Sequence, residues 1–264
     1  MASEIDCTAM TRIAALSECF PEVGSPVPEE GPEPAHRDWW VALKFWFGCS
    51  FMRGRADAIS VPFMQRAVKV LAEVLGDGDR PEVPRVREAA DAGWLNWRKY
   101  SDTAEPVLSA LAQGGVNNSA DREMVAETLI FLCTVPDANM VGWAIREIED
   151  GRLAHAYRKL DDIRWVGHKI ASMFLREVVN VYSLRTSCND IDCIYLFPLD
   201  YWVELICTRL GIFIEKEPEM EKVKAAVATC LHCKVDPICF NQGAWYLGHT
   251  RGEEGIHEFL KRCD

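Results

Sequence analysis

The chain has 264 residues, 49% hydrophobic and 26% charged, the mix expected of a folded globular protein with a sizeable core. Its formal net charge of −11, from 29 Lys and Arg against 40 Asp and Glu, argues against broad, sequence-independent binding of nucleic acid and leaves room only for a local basic surface. No apolar run reaches the roughly 18 residues of a membrane span, and the start MASEIDCTAM lacks a secretory leader's basic and apolar segments, so the eleven cysteines are expected to be free thiols in an intracellular, reducing compartment, cytoplasm or nucleoid or nucleus.

A short helix is expected over 8–19. The segment 21–38 carries five of the thirteen prolines and reads as an irregular connector. The first region is therefore drawn at 1–38, ahead of a helical domain over 39–264. Asp38 is placed to cap an apolar helix over 39–52, and Val61, Met64, Val68, Leu71 and Leu75 fall on one face of a helix ending at GDGD. Helices follow over 84–100 and 104–113. The next, over 119–135, has Ser119 as its expected N-cap and Pro136 as its stop. Further helical stretches run over 137–151, 152–162, 166–184, 198–211, 219–233 and 236–250, the last opened by Asp236 and Pro237. No segment alternates with the period of a strand. The expected fold is all-α, with about ten helices.

Within DDIRWVGHKIASMFLREVV (161–179), Gly167 relaxes the steric limits of a turn, and Lys169 falls in the first turn of the helix that follows. Backbone N–H groups at a helix start lack intrahelical partners and can hold a phosphate. The helix dipole opposes a cation there, and a nucleophilic amine must be unprotonated, so the position suits chemistry as well as an ordinary solvated lysine. Further on, FPLDYWVELICTRLG (197–211) sets Asp200 at the mouth of an amphipathic helix, where it would serve as N-cap.

A turn-glycine-x-lysine helix followed by a proline-x-aspartate helix resembles the helix-hairpin-helix DNA glycosylases. The 31 positions from Lys169 to Asp200 make the chain most similar to the archaeal 8-oxoguanine DNA glycosylase/AP lyase branch. The likeness covers roughly 40–250 and is strongest over 160–211 and over FNQGAWYLG (240–248), with the hairpin and catalytic segment at about 152–211. It implies two helical lobes flanking a cleft. One lobe holds the helices leading into the hairpin, and the other combines N-terminal and C-terminal helices. Lys169 would be the nucleophile at C1′ of a flipped nucleotide and Asp200 its ionised partner. Trp245 would stack on the base, Asn241 and Gln242 would read its edge, and Trp202 would line the pocket. Arg164, Gly167 and His168 would contact the DNA, with His249 and Arg251 as further phosphate candidates. Where the family hairpin has two glycines flanking an apolar residue, this chain has Trp165 and Gly167.

The resemblance further implies a monomer acting on damaged double-stranded DNA, with no membrane partner and no cofactor. Some relatives hold an iron–sulfur cluster through four cysteines whose last three share the spacing of Cys230, Cys233 and Cys239. These three are the alternative cluster or zinc site, although Val223 stands where a fourth cysteine would fall. Of the nine tryptophans, Trp39, Trp40, Trp46, Trp94 and Trp97 are assigned to core or interface. Two other readings remain: a helix-hairpin-helix module that binds DNA or protein without catalysis, and an unrelated helical protein.

Overall fold

A computed structural model describes residues 6–21, 26–54, 57–92, 95, 106–214 and 216–262. The fold is mostly helical, and among the described residues no strand occurs, the one β interaction being an isolated bridge between Gly76 and Pro81. The helices, in chain order, are α1 (Cys7–Ala15), α2 (Pro32–Arg37), α3 (Trp39–Ser50), α4 (Asp57–Leu75), α5 (Val83–Asp91), α6 (Pro106–Gln113), α7 (Ser119–Thr134), α8 (Met140–Glu149), α9 (Leu153–Asp161), α10 (His168–Val181), α11 (Tyr201–Arg209), α12 (Glu219–His232) and α13 (Pro237–Lys261). Short 3₁₀ turns follow α1 and lie within the segment joining α10 to α11. The proline-rich connector thus contains a helix, α2, that composition did not suggest; Pro32 sits at its start, where a missing N–H costs nothing. Trp94 and Trp97 lie outside the described residues, as does the latter part of the helix expected over 84–100.

Two compact units divide the chain. The central unit takes residues 26–174 and 178–187; the terminal unit takes the described residues within 1–25, 175–177 and 188–264. Residues 26–38 therefore group with the central helices, and α1 groups with the C-terminal ones.

In the central unit, Asp38 caps α3 as expected, its Oδ1 accepting from the N–H groups of Trp40 (2.8 Å) and Val41 (3.1 Å). Its Oδ2 pairs with Arg80 at 2.8 Å. Burial pushes this carboxyl up, but the arginine and the two N–H donors outweigh it and hold it below the usual range. Trp46 on α3 is fully buried; its indole N–H donates to Thr128 Oγ1 at 3.1 Å, and its ring meets Phe174 edge-on at 5.1 Å. Trp39 and Trp40 are buried as well. Asn118 caps α7, one residue before the expected Ser119: its Oδ1 reaches the Ala120 N–H at 2.9 Å, and Ser119 is the first helical residue.

In the terminal unit, Met10 and Ile13 of α1 enter a core with Phe197, Val203, Ile206, Val223, Val227, Phe240 and Leu247. Here α1 lies backbone to backbone against α13. A Cβ at Gly243 would fall 1.9 Å from the Ile13 carbonyl oxygen, so only glycine fits there. Packing of α1 in this unit also brings Cys7 to Cys233, with their Cα atoms 5.2 Å apart, and a disulfide joins them. This corrects the expectation that all thiols are free. Neighbourhood in the fold, not spacing in the sequence, selects the pair. Among the described residues eight other cysteines lie outside this disulfide.

Candidate functional site

The turn between α9 and α10 spans 162–167. Gly167 is the N-cap of α10 but takes an extended conformation (φ −119°, ψ −175°), and a Cβ there would meet nothing within 4 Å. The position that asks for glycine is 165. Trp165 has φ +64°, the left-handed region that side chains avoid, and it is 48% exposed. The glycine expected to loosen the turn is therefore two residues from the place where the backbone needs it.

The Trp165 indole N–H donates to Glu123 Oε2 at 2.6 Å, and Arg164 Nε donates to the same oxygen at 2.9 Å. The Arg164 guanidinium lies 4.9 Å from the centre of the Trp165 ring, and that of Arg53 lies 5.8 Å from it. Arg53 in turn reaches the Ala120 carbonyl at 3.2 Å and the buried carboxylate of Asp121 at 3.5 Å. Next to Arg53 in the chain, the Met52 carbonyl accepts from Lys169 Nζ at 3.2 Å. One region of the central unit thus collects Lys169, Arg53, Arg164 and an exposed tryptophan, with Glu123 and Asp121 balancing the two arginines. Arg53 and Glu123 were not legible as site residues, since they lie far from the turn in sequence and carry no motif.

His168 is not part of that surface. It is 6% exposed, with Nδ1 bonded to the Tyr157 hydroxyl at 3.0 Å and lying 3.3 Å from Ser172 Oγ, so its ring faces inward and is not presented to a ligand.

In the terminal unit, Asp200 is the N-cap of α11, its Oδ1 accepting from the Val203 N–H at 2.9 Å. The segment before it is pinned by Asn241, whose Nδ2 donates to the Pro198 carbonyl at 2.9 Å. Asn241 Oδ1 accepts from Arg176 Nη1, and Arg176 also pairs with Glu177 at 2.7 Å. Gln242 hydrogen-bonds Glu177, and Phe20 lies under the Arg176 guanidinium at 5.0 Å. Arg176, Glu177, Asn241 and Gln242 are all buried, Asn241 completely. Burial pushes the Glu177 carboxyl up, with Arg176 opposing it. The amides expected to read a base edge are instead joined into an internal ionic network.

Trp245 is half-buried between Phe20, met edge-on at 5.3 Å, and His249, stacked at 4.5 Å. Trp202 is half-buried against α13, where a Cβ on Gly248 would come within 2.5 Å of it. Cys233 is held by Cys7 and is no thiolate donor in this state. Cys230 is buried, and the lack of solvation pushes its thiol up. Among the described residues, no three His, Cys, Asp or Glu side chains gather as a metal-binding group, and no helix is long and apolar enough to cross a membrane. Compared with family models, curated proteins and solved structures, the chain matches none.

Proposed function

We propose that the protein is a base-excision DNA glycosylase with AP lyase activity, acting on an oxidised purine such as 8-oxoguanine. The observation that carries this reading is the setting of Lys169: the first turn of α10, directly after a turn that carries Arg164 and an exposed, left-handed Trp165, with its amine on the carbonyl of Met52, the chain neighbour of Arg53. In this reading α9 and α10 are the arms of a helix-hairpin-helix element.

The chemistry is that of an amine nucleophile. The damaged nucleotide leaves the base stack, and the unprotonated Lys169 attacks C1′. The bond from C1′ to the base breaks, and the base departs with the electron pair and gains a proton. Asp200, ionised, takes the proton lost by the lysine and offsets positive charge on the sugar. The C1′–O4′ bond then breaks, O4′ taking a proton as the sugar ring opens, which leaves a protonated Schiff base at C1′; this loses a proton from C2′, and β-elimination expels the 3′ phosphate. Hydrolysis frees the lysine.

Borohydride trapping tests this. Duplex DNA carrying one 8-oxoguanine is expected to give a covalent protein–DNA band that Lys169→Gln abolishes. Asp200→Asn is expected to slow base release by about 10²- to 10⁴-fold. No band and no released base would overturn the enzymatic reading. It would favour a non-catalytic helix-hairpin-helix module, which the inward engagement of His168, Asn241 and Gln242 supports.

A further inference from the structure

We infer that Trp165, flanked by Arg53 and Arg164, is a stacking platform for an unpaired nucleobase, with the two guanidiniums meeting the adjoining phosphates. The ligand class rests on the nucleic-acid reading above, but the platform does not depend on catalysis. Three observations carry it. The first is exposure: a tryptophan 48% open to solvent leaves part of a large apolar ring uncovered at the turn. The second is strain. At φ +64° a bulky side chain is disfavoured, and such strain persists where the surroundings over-determine it. Here the Glu123 carboxylate does so, fixing both the indole N–H and Arg164. A turn that needed only to reverse the chain would be satisfied by glycine at this position. The third is charge. Guanidiniums 4.9 Å and 5.8 Å from the ring centre pair a π face with cations, the combination that binds a flat base joined to an anionic backbone.

A fully paired duplex keeps its bases stacked on one another, so the platform selects for unpaired ones. Because Glu123 and Asp121 already balance the arginines, binding should depend only modestly on salt. For about two phosphates neutralised on a single strand, the slope of log K against log salt is roughly −1.5.

The test uses the full chain and three fluorescent probes: oligothymidylate, a paired duplex, and the same duplex with one unpaired thymidine. The expected order has oligothymidylate and the unpaired site bound more tightly than the paired duplex. Trp165→Phe should retain most of that preference, and Trp165→Ala should weaken it about 5- to 100-fold. Trp165→Gly should lose the same binding while raising the melting temperature, because glycine accepts the left-handed backbone without penalty. That opposite movement of stability and binding separates a platform from a merely structural tryptophan. Equal binding by native protein and Trp165→Gly, no preference for unpaired thymidine, or no binding to any probe would overturn the inference. Excision assayed in parallel keeps the two readings apart. Trp165-dependent binding without base release would sink the glycosylase alone, and base release together with binding indifferent to Trp165 would sink the platform alone.

Discussion

Lys169 and Asp200 both stand at the starts of helices, yet the two regions that hold them are built on different principles. Around Lys169 one backbone carbonyl accepts from its amine, and the exposed Arg164, the more buried Arg53 and a strained, half-exposed indole surround the neighbouring turn. Around Asp200 the carboxylate caps α11, and the chain before it is tied through Asn241 to a buried ion pair. Apart from the Arg53–Asp121 pair, the first region keeps its polar groups nearer water, where they can exchange partners at low cost. The second has lost that freedom, because every buried polar atom in it depends on another. Substitutions should therefore destabilise the terminal unit far more than the central site.

The largest expected effect is at Arg176. Replacing it with Ala leaves the Glu177 carboxyl buried without its counter-ion and Asn241 without its donor, and denaturant unfolding should show a loss of about 3–5 kcal/mol. Lys169→Gln, by comparison, should stay within about 0.5 kcal/mol of native stability. If the two variants unfold alike, the contrast between the regions is wrong.

Next comes Asn241→Ala, which orphans the Pro198 carbonyl and one Arg176 N–H, with an expected loss of about 1–3 kcal/mol. Since Asn241 holds the segment leading to Asp200, base release should fall with it. Release that survives the stability loss would show that Asp200 is set by its own helix alone.

A smaller effect sharpens the role of Asp200. Asp200→Ala should cost about 1 kcal/mol through the lost cap, whereas Asp200→Asn keeps an acceptor for the Val203 N–H and should be nearly neutral. If both variants lose excision equally while only the first loses stability, the carboxylate acts chemically as well as structurally.

The smallest effect is one of sign with pH. Glu147 in the central unit is held below the usual carboxylate range by Arg152 and, behind it, His155, against its partial burial. That contribution is present above the unfolded value of about 4.3 and is lost as the pH falls below it. Glu177 is raised by burial, so folding binds its proton more tightly and stability declines as the pH climbs from about 4.3 toward the folded value. Melting temperatures across acid pH should therefore tilt in opposite directions for Glu147→Gln and Glu177→Gln relative to native protein. Parallel tilts would contradict this.

Much of the fold was legible because its signals are local. Asp38, Asp200 and Asp236 cap helices through N–H groups two or three residues on, a distance the chain itself sets. Apolar spacing marked α4 for the same reason. The limits of this legibility were equally local. Asn118 took the cap expected of Ser119, and beyond the expected helix over 236–250 a non-helical Gly252 kinks α13 before a further helical stretch that reaches Lys261.

The candidate site was legible only in part. Lys169 and the turn before it could be picked out from residue types, but neither the conformation nor the partners of that turn could be. No rule of sequence places Trp165 in a glycine's conformation, because neighbours such as Glu123 and Arg53 impose it from forty and more positions away. Asn241 and Gln242 looked like free amides until tertiary packing set them against Arg176 and Glu177.

By itself, the sequence determined the helical class and most helix starts, since each depends on contacts within a turn or two. Only the tertiary structure decided that α1 joins the C-terminal helices, that Cys7 meets Cys233, and that the expected base readers are buried struts. Those outcomes depend on burial and on partners across loops of tens to hundreds of residues, and the chain acquires these only on folding.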